Sequence, residues 1–316
     1  MNKRIIFASL IGALIACGNQ TVNTPPAPAP LNLVSFNSIP TDYNLGYTLT
    51  EPNESFKLSK KLEEISGLSL SRDGASLIAI EDENGKIYLL DKSSGEIIED
   101  LTFWKSGDYE GVEVVGSEVY VLKSSGTLYR IMNAGSKEQE VEKFNGFLGS
   151  ENDVEGLAYD AINHRLLLAC KGKGGNGEPF RAKKCIYAFD LHTLSLQPNP
   201  VFVISLEDIH DYLSTAPAIR KLDKLAEMFK PGAELTFAPS GIAIHPITKD
   251  IHILSSVGKV LMVISQNGQL LHIEKLRKEV HTQPEGLCFD QDGTLYIANE
   301  GKGGRGKILR FDYHNQ

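Results

Sequence analysis

The sequence predicts an all-β fold, a five-bladed β-propeller, on three observations. First, a pair of Ser or Glu followed by Gly and an aliphatic residue recurs as Ser66-Gly67-Leu68, Glu110-Gly111-Val112, Glu155-Gly156-Leu157, Ser240-Gly241-Ile242 and Glu285-Gly286-Leu287. The glycines are spaced by 44, 45, 85 and 45 residues, and a period of about 45 residues holding several short strands is that of a propeller blade. Second, the order of segments repeats after each mark. A polar turn (Ser71-Arg72-Asp73-Gly74, Asp290-Gln291-Asp292-Gly293) leads to a β-rich run (Ser76 to Ile80, Thr294 to Ala298). A second turn and strand then follow (Gly85 to Leu90, Gly126 to Arg130, Gly258 to Met262, Gly306 to Arg310), which is the signal of a meander. Third, 29 Gly and 14 Pro in 316 residues supply the many turns such a fold needs, although the length alone also allows two domains.

The spacing of 85 hides either a degenerate sixth blade or an insertion, and the intervening residues favour the insertion. Residues 171–184 make an overlong hairpin loop. Residues 215–229 carry Ile219, Leu222, Leu225, Ala226 and Phe229 at helical spacing, with Thr215 as N-cap, Pro217 in the first turn and Pro231-Gly232 as the stop. Only Ile186–Leu191 and Val201–Leu206 remain as strands, enough to complete the third blade and no more. A six-bladed ring is the alternative. Ring closure is expected between residues of the 45–60 region and the last strands.

Ahead of the repeats, Lys3 and Arg4 precede an apolar run from Ile5 to Ala16, the length of a signal-peptide core and short of the roughly 20 residues of a membrane helix. Leu14-Ile15-Ala16-Cys17 resembles a bacterial lipobox, which makes residues 1–16 a cleaved leader and Cys17 the lipidated new N-terminus. An ordinary cleaved signal is the plainer alternative. Gly18 follows the cysteine, with no Asp there to retain the chain at the inner membrane, so an outer-membrane lipoprotein is expected, facing either the periplasm or the cell surface. Residues 17–45, with Pro25, Pro26, Pro28 and Pro30, read as a tether; its Gly18–Pro30 stretch would reach roughly 40 Å in extended polyproline form. Residues 46–316 are left for the propeller.

The chain carries 40 Asp+Glu against 32 Lys+Arg, a net charge of -8 that becomes -10 once Lys3 and Arg4 leave with the leader. Without a Lys/Arg block, neither nucleic acid nor an anionic membrane surface is expected as the main partner. The membrane is met through the lipid alone, and the domain is expected to be a monomer.

The first strand of each blade lines the central channel, so equivalent marks turn Glu110, Glu155 and Glu285 toward one axis. Three converging carboxylates repel unless neutralised, and Ca²⁺, which seeks oxygen, is the expected cofactor. Ser66 and Ser240 offer neutral oxygens at the two other positions, and Asp108, Asp153 and Glu300 are second-rank ligands. The competing reading is that the glutamates accept backbone N–H groups and serve ring closure only.

The Gly/Lys-rich loops Lys171–Gly175 and Glu300–Gly306 suit hairpin turns at equivalent places in blades three and five. They also offer amides and basic side chains to an anion, without the strand-to-helix context of a phosphate loop. His245 and His252 flank a turn without zinc-ligand spacing. Cys170 and Cys185 stand at the neck of one hairpin, where an oxidising envelope allows a disulfide, and Cys288 reads as a buried thiol.

Asp153-Val154-Glu155-Gly156-Leu157, Gln283-Pro284-Glu285-Gly286-Leu287, Leu295 to Glu300 and Gly85 to Asp91 are similar to the SdiA-regulated propeller family, bacterial envelope proteins distantly related to NHL-repeat propellers. The likeness spans roughly residues 60–313. It implies a calcium-binding five-bladed propeller with no established reaction. Two functional classes follow. One is a module that binds a protein or small-molecule ligand. The other is a Ca²⁺-dependent hydrolase of esters, lactones or phosphoesters, gluconolactonase-like or phytase-like, which would need a channel-lining base and, for phosphoesters, a Lys/Arg cluster at the channel mouth.

Overall fold

Each mark becomes the start of an innermost strand. The computed structural model describes residues 32–35, 43–175, 178–215, 223–233 and 236–314. In chain order, β1 (Glu54–Lys57) precedes blade one, made of β2 (Ile65–Leu70), β3 (Ser76–Glu81), β4 (Lys86–Asp91) and β5 (Ile97–Thr102). Blade two holds β6 (Tyr109–Val115), β7 (Glu118–Lys123), β8 (Leu128–Met132) and β9 (Glu140–Phe144). Blade three holds β10 (Val154–Asp160), β11 (Arg165–Cys170), β12 (Lys183–Asp190), the short β13 (Ser195–Leu196) and β14 (Phe202–Ser205), followed by α1 (Leu206–Thr215) and α2 (Asp223–Ala226). Blade four holds β15 (Ala238–Ile244), β16 (Ile251–Val257), β17 (Val260–Ile264) and β18 (Leu270–Lys275). Blade five holds β19 (Pro284–Phe289), β20 (Leu295–Asn299) and β21 (Lys307–Phe311). All pairings within the blades are antiparallel, and the five inner strands neighbour one another in cyclic order. The described residues thus form five blades, not six.

The ring closes as the sequence predicts. β1 pairs with β21 from Glu54↔Arg310 to Lys57↔Lys307, so the N-terminal side of the domain supplies the outer strand of the last blade. The second strand of each blade is an apolar run rather than an alternating one because both of its faces pack against neighbouring blades. Leu166, Leu167, Leu168 and Ala169 of β11 are all fully buried, whereas the outer strands β5 and β9 are half-buried or exposed throughout.

Glycine is required at the marks by close approach. A Cβ on Gly241 would sit 2.5 Å from the Glu285 carbonyl oxygen of the next blade, and one on Gly286 would sit 3.0 Å from both Ser66 O and Leu68 N across the closure.

Three boundaries differ from the sequence reading. The helical insertion starts nine residues earlier: α1 begins at Leu206, and Thr215 ends it instead of capping it. Ser205 takes the cap position, its Oγ accepting from Asp208 N at 3.3 Å, with Glu207 and Asp208 favourably placed in the first turn. Ile209, Leu213, Leu225, Ala226 and Phe229 are buried with Phe237 against blades three and four, while Pro217, Ile219 and Leu222 lie outside the described residues. The tether reading also extended too far: Asn32–Ser35 and the residues from Tyr43 on belong to the propeller's compact unit. Asn32–Ser35 docks on it, with Val34 N donating to Val203 O at 2.8 Å and Ser35 N to Gly268 O at 2.8 Å, and Leu45, Tyr47 and Leu49 are buried. The leader and Cys17 lie outside the described residues. Finally, Cys170 and Cys185 follow the last registered pair, Ala169↔Ile186, yet both are free and fully buried, so the expected disulfide is not formed. Burial pushes both thiols up, Cys185 to about 12, and holds them in the unreactive neutral form. Cys288 is a buried thiol, as expected.

Candidate functional site

The backbone aims the mark residues. Each inner strand shifts register by one residue at its mark, between Ile65 and Gly67, Tyr109 and Gly111, Val154 and Gly156, Pro239 and Gly241, and Pro284 and Leu287. A bulge leaves its extra residue outside the ladder and turns its side chain away from the strand's own alternation. Five bulges in equivalent places collect Ser66, Glu110, Glu155, Ser240 and Glu285 at one end of the ring. Ser66, Glu110, Glu155 and Ser240, with glycines of four of the marks, line a cavity of only about 10 Å³, room for at most one water. The channel is therefore plugged at this level, and anything larger meets it from the mouth above.

The charges at the plug are already matched in part. Lys171, one residue beyond β11, donates from Nζ to Glu155 Oε1 at 2.5 Å. Its position follows from hairpin register: Val154 pairs with Cys170, and Lys171 N donates to Asp153 O at 2.8 Å, which returns the lysine to the mark from sixteen residues away. Burial works to lower the Lys171 pKa, but Glu155, Glu285 and Asp153 overcome it and raise it, so the ammonium stays charged. Burial pushes the Glu155 carboxyl up to about 8 against the pull of Lys171. Burial, Glu155 and Asp108 together push Glu110 up to about 10, against the same lysine. Glu285 is raised by burial, while Lys171 and the side chains of Ser256, Gln283 and Ser240 work the other way.

The two serines close the ring. Ser66 Oγ donates to Tyr109 O at 2.7 Å, and Ser240 Oγ to Pro284 O at 3.2 Å, in each case the residue before the next blade's mark. Asp108 accepts from the Ser124 hydroxyl beside Glu110, and Asp153 stands beside Glu155 and Lys171. Glu300 accepts from Gln283 Nε2; burial, then Glu285, Asp82 and Glu64, push its carboxyl up to about 7. Asp82, which the sequence reading overlooked, is pushed up to about 6 by burial and by Glu64, and its buried Oδ1 has no hydrogen-bond partner.

Calcium takes six to eight oxygens at about 2.3–2.6 Å, and the residues here do not fit that demand. Glu155 is engaged by an ammonium, and the serine hydroxyls face carbonyls. Among the described residues no group of three or more His, Cys, Asp or Glu is disposed to hold a metal ion. Glu155 lies within electrostatic reach of both Glu110 and Glu285, and Lys171 is the cation beside it.

Beside the carboxylates the same mouth opens into a cavity of about 510 Å³ lined by Lys171, Lys259, Lys275, Lys278 and Lys302 together with Gln283 and Glu285. Three blades contribute. Lys171 and Lys302 come from the Gly/Lys-rich loops of blades three and five, Lys259 from the two-residue turn joining β16 and β17, and Lys275 and Lys278 from the end of β18 and the segment after it. The similarity of the two loops was visible in the sequence; their convergence on one cavity was not. His245 and His252 are buried in an aromatic cluster with Tyr47, Phe289 and Tyr313, where His245 Nε2 lies 2.8 Å from the Tyr47 hydroxyl.

Residues 49–173 and 222–302 match the model of the SdiA-regulated family. The chain belongs to the SdiA-regulated family. No curated protein matches it. Among solved structures, this SdiA-regulated propeller is similar to glutaminyl cyclase from Myxococcus xanthus, at 10% identity, TM-score 0.52, and coverage of 84% of this chain and 95% of that one. It is also similar to a streptogramin B lyase (12% identity, TM-score 0.45, 82% and 97% covered) and to a gluconolactonase from Xanthomonas campestris (14% identity, TM-score 0.47, 78% and 72% covered). At such identities the likeness is one of fold alone, a β-propeller.

Proposed function

We propose that this SdiA-regulated propeller is a lipid-tethered module of the bacterial envelope, anchored at the outer membrane through Cys17, that binds its ligand at the mouth of the channel and leaves it chemically unchanged. The observation that carries this reading is the Lys171–Glu155 ion pair at 2.5 Å. It gives the channel carboxylates a cation from the chain itself, so their work is structural: Glu155 and Lys171 tie the β10–β11 hairpin, and the two serines tie their blades to the next. A hydrolase needs a base free to take a proton and an activated nucleophile. Here burial and the neighbouring carboxylates push the Glu110 carboxyl up to about 10, and Glu155 faces an ammonium.

The alternative, a Ca²⁺-dependent hydrolase, is favoured by one observation, the lysine cluster beside the carboxylates, which suits a phosphoester. One assay separates the two. The protein is offered lactones, aryl esters and phosphoesters with calcium and with chelator, and its melting temperature is recorded under both conditions. Background rates throughout and a melting temperature unmoved by calcium are the expected results. Turnover that requires calcium and disappears in Glu155→Gln would replace the binding reading by the hydrolase.

A further inference from the structure

The lysine cavity is more specific than a charged patch. Its charged lining is five lysines against the single carboxyl of Glu285, which burial holds toward its neutral form, and it contains no arginine. Two of the lysines are occupied: Lys171 by Glu155, and Lys275, whose Nζ donates to the Gly258 carbonyl. Among the described residues the ammonium groups of Lys259, Lys278 and Lys302 meet no carboxylate within salt-bridge distance. Lys259 is crowded from two sides, by Lys302 and by Lys275. Lys259 is held below the usual lysine range by burial and by Lys302, and Lys275 by burial and by Lys259.

The backbone supports the same point. β16 and β17 are joined by Gly258 and Lys259 alone, with φ of 74° and 51°. A two-residue turn with both φ positive selects Asn or Gly, and a lysine held there is strained. This short tip lines the cavity together with Lys171 and Lys302 of the Gly/Lys-rich loops of blades three and five. Ammonium groups bind phosphate as compact point charges, without the planar bidentate fork that arginine offers to carboxylate and phosphate alike. A volume of about 510 Å³ is that of a small-molecule site, and Val257 and Leu276 give it an apolar wall for a carbon body.

We propose that the cavity at the channel mouth binds a small ligand bearing at least two phosphate charges, held by Lys259, Lys278 and Lys302 with Lys171 at its floor. This rests on the binding reading above and names the chemistry of its ligand.

The test uses the full chain and titration calorimetry with inorganic pyrophosphate at constant ionic strength, with released phosphate measured in the same samples. A parallel arm uses phosphatidylcholine vesicles with and without phosphatidic acid, to separate a free phosphate from a lipid headgroup. Lys259→Gly removes one charge and relieves the strained turn, so its melting temperature should hold or rise while affinity falls at least about tenfold, the worth of one charge-assisted contact. Lys249→Gly is the matched control: another lysine at positive φ (65°), in the turn between β15 and β16 at the opposite end of blade four. Saturable binding kept by Lys249→Gly and weakened in Lys259→Gly supports the site, whether the pyrophosphate or the phosphatidic acid arm shows it. Absence of saturable binding in both arms, or equal binding by the two variants, overturns the phosphate site and leaves the binding module standing. Phosphate release with binding intact keeps the site and overturns the non-catalytic reading instead.

Discussion

Glu110 offers a sign-definite experiment. Its carboxyl stands at about 10 in the fold against an ordinary 4.5, because burial, Glu155 and Asp108 all disfavour the anion more than Lys171 favours it. Below pH 4.5 the folded and unfolded chains both hold this proton. As pH rises from there, the unfolded chain releases it and the fold must keep it, so stability conferred at low pH is lost at about 1.4 kcal/mol per pH unit until the folded pKa is passed. From pH 5 to pH 8 this sets a ceiling of about 4 kcal/mol, and solvent reaching the mouth reduces it to roughly 2 kcal/mol. Glu110→Gln keeps the shape of the protonated side chain and removes the titration. The variant should match the wild type near pH 5 and exceed it at pH 8 by roughly 2–4 kcal/mol, or about 4–10 °C for a domain of this size. Thermal unfolding followed by circular dichroism across pH 5–8 reads the difference. A gap that does not change with pH, or a variant less stable at pH 8, would refute the crowded-carboxylate account.

Two further outcomes test the ring. Lys171→Met strands Glu155 and should cost about 3–5 kcal/mol at pH 8 in urea unfolding, with much of the loss recovered in Lys171→Met/Glu155→Gln; a double variant no better than the single one would deny that Lys171 serves as counter-ion. Gly241→Ala must displace the Glu285 carbonyl, which would lie 2.5 Å from the new methyl, and should destabilise by about 1–3 kcal/mol. A wild-type melting temperature for that variant would show that blades four and five do not meet there.

Much of the architecture was legible because a propeller writes its period into the chain. The Ser/Glu-Gly marks recur since every blade solves the same steric problem at the axis, and the glycine contacts of one blade with the next are that problem in atomic terms. The start of the insertion was missed because Val201–Leu206 carries enough aliphatic residues to read as strand throughout. The signal that would have corrected it is Ser205 followed by Leu206-Glu207-Asp208, a cap with acids in the first turn. The equivalence of Glu110, Glu155 and Glu285 was legible in the marks, but the cation beside Glu155 was not, since Lys171 reaches it only through the register of one hairpin.

What the sequence determined by itself is therefore everything periodic: the class of fold, five blades in preference to six, the closing strand and the glycines where blades approach closely. Tertiary structure alone decided which charges face one another. Hairpin tips are short polar segments without internal pattern, and their neighbours belong to other blades far along the chain. Lys171, Lys259 and Lys302 thus share one cavity for a reason that no local spacing records: turns of three different blades meet around it.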